Sequence, residues 1–335
     1  MPFTTENLFR TPPLHASAWI DRWSIAAPDS RVDRIETGHG LGRMAVHEDA
    51  IWIANATSET VTRIDRRTAR VEVRTSLHHS TAAIAAGAEA VWVLGTNGWL
   101  WRFRPDGEGE GVARTGRGAR DLTCDPRSVW IIRRNGKLVG IDQATGETTV
   151  EAKVPRGARQ ILRTDYGLIA LTAEGRRVSR VARDTGAVDA EVKLPARGIR
   201  TTVDRDALWV ACGRRRSSSW GALVRVDLAT MRVDAVHQAP TAPRAIAAGA
   251  EHVWVACGRR GDKKSAVIRM EPATGKLTPW IETDWTIYDL AIAGDELLAA
   301  CGVTLAGPAA GIADGGGGMG GGGHHGGGGG HGGGH

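Results

Sequence analysis

The stretch AIAAGAEHVWVACGRR, residues 245–260, repeats almost word for word an earlier one, AIAAGAEAVWVLGTNG at 83–98. With the middle residue of VWV as anchor, the pattern recurs at Trp52, Trp92, Trp130, Ile169, Trp209, Trp254 and Leu298, at intervals of 40, 38, 39, 40, 45 and 44 residues. A fixed period of this length means one supersecondary unit repeated side by side, because a lone sheet of four short strands cannot bury its apolar faces. Within each period the order is constant. An apolar run and a small or acidic turn lead to the anchor run; a polar turn, a run such as VTRID (61–65), a turn such as ATG (144–146) and a last run such as VEVRT (71–75) follow. Four short β-branched runs between turn residues make one propeller blade.

After Leu298 no third or fourth strand follows, while two orphan strands, AWIDRWSI (18–25) and RVDRIETG (31–38), precede the first complete unit. Joining the two ends removes the open sheet edges of an unclosed array. The expectation is therefore all-β: a seven-bladed β-propeller of four-stranded blades over 17–304, its last blade closed by N-terminal strands. Residues 1–16 are an N-terminal extension and 305–335 a disordered, flexible Gly/His-rich C-terminal tail.

Composition narrows the function classes. The 335 residues hold 43 Lys and Arg against 37 Asp and Glu, a net charge of +6. No run of about 18 apolar residues is present, so no membrane span is expected. The first 16 residues, with Glu6 and Arg10, do not read as a secretory signal, and the expected setting is cytoplasmic and monomeric. The four cysteines, Cys124, Cys212, Cys257 and Cys301, form no Cys-x-x-Cys pair; they read as small buried residues of the blade packing in a reducing compartment.

The strings VWVLGTNGWLWRFRPDGEG (91–109), LVGIDQATGETTV (138–150), LVRVDLATMRV (223–233) and VIRMEPATGKL (267–277) resemble the streptogramin (virginiamycin B) lyase-like and YVTN-type seven-bladed propellers, over about 17–304. That resemblance implies the fold. It also implies, for the lyases, a magnesium ion held by acids and histidines around the central channel, with an acidic residue after the anchor motif. Here none of the three residues after any anchor is acidic.

Alternating strand direction puts the links between blades and the loop between the second and third strands on one face, called upper. This face collects cations: Arg133, Arg134 and Lys137; Arg176 and Arg177; Arg214, Arg215 and Arg216; Arg259, Arg260, Lys263 and Lys264. The lower face collects acids such as Glu48, Asp49, Asp125, Asp206, Asp142 and Glu147. Nine or ten residues before the anchors stand Arg43, Arg120, Arg159, Arg200 and Arg244, with Tyr288 in the last blade. Guanidinium forks repeated around one channel mouth match carboxylate or phosphate oxygens. The leading expectation is a non-enzymatic propeller that binds an anionic small molecule or an acidic protein or peptide there. Nucleic acid is not favoured, because the basic loops lack interleaved aromatics apart from Trp220.

Two alternatives use metal. His39, His78 and His79 lie in upper-face links and would serve the lyase reading as ligand or base. The tail carries His324, His325, His331 and His335 on a flexible Gly chain able to wrap Ni²⁺, Cu²⁺ or Zn²⁺ for buffering or delivery.

Overall fold

Each repeat folds as one antiparallel sheet whose first strand is innermost. The innermost strands are Gly42–His47, Thr81–Ala86, Ala119–Cys124, Ala158–Thr164, Arg197–Asp204, Pro243–Ala248 and Thr286–Ala293, for blades 1 to 7. The computed structural model describes residues 17–302 apart from 27–30, 41, 173–175, 215–216, 240–242, 250 and 259–264. Among the described residues there are seven four-stranded sheets and no helix. Consecutive innermost strands touch in turn, and the seventh touches the first, which closes a ring around a central channel.

Closure works as the orphan strands require. Ser17–Ser24 pairs with Glu296–Gly302 on one side and with Arg31–His39 on the other. Blade 7 thus takes its inner two strands from the C-terminal part of the propeller and its outer two from the N-terminal part. A guanidinium locks the seam: Arg34 donates to Asp21 at 2.8 and 3.2 Å. Its carbon lies 4.7 Å from the Trp19 ring and 4.3 Å from the Trp285 ring, a cation held between two π faces.

The core is not one mass but seven clusters, one at each interface between adjacent blades. The anchors fill them: Trp52, Trp92 and Trp209 are among the largest fully buried side chains. Burying one such indole removes roughly 200 Å² from water, about 5 kcal/mol of gross apolar transfer. Size matching across the sheet makes room. Opposite the five anchor tryptophans stand Ala45, Ala85, Thr123, Thr202 and Ala247, whereas the smaller anchor Ile169 faces the larger Leu162.

A second repeat sits on the other side of the anchor. The third-strand residue opposite it is Arg in six blades, Arg63, Arg102, Arg180, Arg225, Arg269 and Arg22, and Gly140 in blade 3. Several of these guanidinium groups reach an acid: Arg63–Glu72, Arg102–Glu110, Arg180–Asp189, Arg225–Asp234 and Arg22–Glu296. Arg102 and Arg180 also donate to backbone carbonyls of the next blade, at Gln143 and at Leu228 and Ala229. Many of the arginines therefore have structural partners. Where Arg is replaced by Gly140, a Cβ would stand 2.7 Å from the Trp130 ring.

Candidate functional site

The innermost strand of each blade is a sheet edge, so its outward N–H groups need partners from the neighbouring blade or from water. Counting strictly nine residues back from each anchor gives Arg43, Ala83, Asp121, Gln160, Arg200, Ala245 and Asp289. Register confirms that these seven are equivalent, because each pairs with the residue two after its anchor. The three that carry acceptor oxygens meet the edge. Asp121 accepts from the Ile161 N–H at 2.9 Å, Gln160 from the Thr201 N–H at 3.0 Å, and Asp289 from the Met44 N–H at 3.3 Å. Each bond runs from one blade to the residue after the equivalent position in the next.

The residue ten back belongs to a different level. In blades 2 to 7 a register shift falls there, so Arg120, Arg159, Arg244 and Tyr288 occupy the extra residue of a β-bulge. Only Arg43 and Arg200 of the five expected arginines share the equivalent level. The expected ring of like cations is thus two levels, and at the level of Arg43 and Arg200 two carboxylates offset the two guanidinium groups.

Electrostatics follow from this mixture. Arg43 forms an ion pair with Asp121, reaching from blade 1 past blade 2, which contributes only Ala83 at this level. The Asp121 side chain is 6% exposed and that of Arg43 29% exposed, open to the channel but ringed by protein. Burial opposes the charge of Arg43, but Asp121 and then Asp289 outweigh it and raise its pKa. Arg200 is the reverse case. Burial first, then repulsion by Arg43, lowers its pKa to about 10, against the pull of Asp289 and Asp121; Arg159 lowers it further. Burial also raises the Asp289 carboxyl, with Arg200, Arg43 and the Met44 and Leu290 N–H groups acting the other way. Arg200 makes no side-chain hydrogen bond or ion pair among the described residues.

The structure brings Arg43, Arg159 and Arg200 into one electrostatic cluster with Asp121 and Asp289. It does not tie Arg120 into that cluster, and Arg244 donates through Nε to the Gly258 carbonyl of its own blade. Tyr288 is half-buried beside Asp289. Sequence reasoning missed Asp121, Gln160 and Asp289; their signal was an exact spacing of nine, blurred by allowing nine or ten.

Among the described residues no three His, Cys, Asp or Glu side chains converge on a metal. His78 is exposed in a left-handed backbone conformation, and His79 packs 6.0 Å from the Trp101 ring. The His39 side chain and His324, His325, His331 and His335 lie outside the described residues. All four cysteines are buried and form no disulfide with one another, and burial pushes Cys212 up to about 12. On the upper face Lys137 pairs with Glu151 and Arg177 with Glu191, while Arg215, Arg216, Arg259, Arg260, Lys263 and Lys264 lie outside the described residues. On the lower face several acids shape turns: Asp65, Asp142 and Asp227 each accept from the threonine three residues on.

No family model and no curated protein matches this sequence. Solved structures do. BamB from Moraxella catarrhalis is 15% identical with a TM-score of 0.56, covering 84% of this chain and 91% of its own. The β-propeller domain of Cps50 (Swd1) from Myceliophteria thermophila is 12% identical with a TM-score of 0.61, covering 79% and 98%. The Neurospora crassa Pan2 WD40 domain is 10% identical with a TM-score of 0.60, covering 78% and 88%. At these identities the likeness is one of fold. The chain is a seven-bladed β-propeller, a scaffold on which function resides in the side chains placed around the ring.

Proposed function

We propose that the protein is a non-enzymatic propeller that binds an anionic ligand, or an acidic group of a protein partner, at the upper channel mouth through Arg200 and Arg159. The observation that carries the reading is Arg200. It stands in the channel wall near Arg43 and Arg159, and its own side chain makes no hydrogen bond or ion pair among the described residues. An anion there would take up an otherwise idle guanidinium fork and relieve the repulsion. Arg120, Arg244 and Tyr288, one residue nearer the mouth, would form the surround, while Arg43 is held by Asp121. Calorimetric titration of the full chain with citrate and inorganic phosphate tests this. Arg159→Ala with Arg200→Ala should weaken binding by roughly tenfold per guanidinium removed and flatten its salt dependence. Unchanged affinity and salt slope would refute the reading.

The metal-dependent lyase chemistry implied by the streptogramin lyase-like resemblance is supported less well. Asp121 and Asp289 are the carboxylates at the Arg43 and Arg200 level, and Asp121 already accepts from Arg43 and the Ile161 N–H. Asp289 accepts from two backbone N–H groups. Elemental analysis of untagged protein, full-length and ending at Gly311, separates the metal readings. Divalent metal kept by the shortened chain would favour the lyase; Ni, Cu or Zn lost with the tail would favour buffering or delivery.

A further inference from the structure

The nine-back level contains the same triplet twice. Blades 1, 2 and 3 read Arg43, Ala83, Asp121; blades 5, 6 and 7 read Arg200, Ala245, Asp289; Gln160 of blade 4 separates them. The first triplet is closed: Arg43 reaches past Ala83 to Asp121. The second is open. Arg200 and Asp289 act on each other through space, yet no hydrogen bond or ion pair joins them, and blade 6 offers only Ala245 between them at this level. Among the described residues the Asp289 side chain accepts hydrogen bonds only from the Met44 and Leu290 N–H groups, at 3.3 and 3.2 Å, and neither is a counter-charge.

Whatever fills this second triplet must satisfy both ends. A plain anion on Arg200 would be repelled by Asp289, and a plain cation on Asp289 would be repelled by Arg200 and Arg159. We propose that the ligand is a zwitterion carrying a carboxylate and an ammonium group, the class of free amino acids, with the carboxylate on Arg200 and the ammonium on Asp289. The closed triplet is the internal counterpart of that complex, with Asp121 and Arg43 supplying from the protein the two charges that a ligand supplies in blades 5 to 7. This rests on the reading that Arg200 holds an anionic group, and it makes Asp289 the residue that sets specificity.

The test is a calorimetric panel on the full chain: the twenty standard amino acids, succinate as a plain dianion and putrescine as a plain dication. At least one amino acid should bind about tenfold more tightly than succinate, the equivalent of one charge-assisted contact. Asp289→Asn keeps an acceptor for the backbone N–H groups; it should lose that preference, weakening the amino acid about tenfold and strengthening succinate. Arg200→Gln should weaken both. Succinate binding as tightly as every amino acid in the unaltered protein, or an amino acid preference that survives Asp289→Asn, would overturn the zwitterion assignment while leaving anion binding intact. No binding of any of these anionic or zwitterionic probes would overturn both. If Asp289→Asn fails to fold, the panel on the unaltered chain still decides.

Discussion

Replacing Arg34 by Ala should unfasten the ring at its seam. Asp21 is fully buried, and its carboxylate takes the Arg34 fork at 2.8 and 3.2 Å, with a further bond from Trp19 Nε1 at 3.2 Å. Truncation strands that carboxylate without its cation, a loss of about 3–5 kcal/mol when the pair is buried. The two indole contacts add something smaller, because the Arg34 side chain keeps 31% of its surface exposed. At roughly 2 °C per kcal/mol for a chain of this size, the melting temperature should fall by about 6–10 °C. Arg34→Lys keeps the charge but not the fork or the flat stack, and should cost about 1–2 kcal/mol. Asp21→Asn in the Arg34→Ala background should restore part of the loss, because the stranded charge is then gone. Amide hydrogen exchange locates the effect: protection should drop first in Ser17–Ser24 and Arg31–His39, the strands that blade 7 borrows. A melting temperature within 2 °C of the parent, or exchange unchanged in those strands, would refute this account of closure.

Four further outcomes are expected. The carboxyls of Asp65 and Asp142 are held below the usual range chiefly by the Thr68 and Thr145 N–H groups, and that of Asp227 chiefly by the Thr230 hydroxyl. Groups with depressed folded-state values stabilise above the unfolded pKa and lose this as pH falls through the folded one. Changing all three to Asn should therefore flatten the fall of the urea midpoint below about pH 4. Trp92→Ala, at a fully buried anchor, should cost about 3–5 kcal/mol in urea unfolding. Gly98 and Arg176 both adopt left-handed backbone in turns between second and third strands, and a Cβ on Gly98 would stand 2.3 Å from the Gly116 carbonyl. Gly98→Ala should thus destabilise, whereas Arg176→Gly should gain about 0.5–1 kcal/mol by thermal melt. Native protein should react with a thiol reagent only at the rate of unfolding, since Cys124, Cys212, Cys257 and Cys301 are all buried.

Period, blade count and closure were legible in the chain because they rest on covalent spacing and on the apolar pattern, and each repeat reports the same unit independently. Trp at five anchors and small residues opposite them are matched within one sheet, at short sequence distance. The Arg opposite six of the anchors was equally regular, but its structural use shows only when the facing fourth-strand acid and the next blade's carbonyls are in place. The mouth was legible only in part. Arg43, Arg159 and Arg200 were named by position, while Asp121, which pairs with Arg43, and Asp289 at the same level were not singled out. A β-bulge adds one residue without altering the hydrophobic pattern, so residues nine and ten before an anchor look interchangeable in sequence though they occupy different levels of the wall. The sequence by itself determined a ring of seven like sheets, because local pairing and burial depend on neighbours a few residues apart. Which charges meet across the channel was decided by the tertiary structure alone, because Arg43 and Asp121 are 78 residues apart and become partners only when the ring closes.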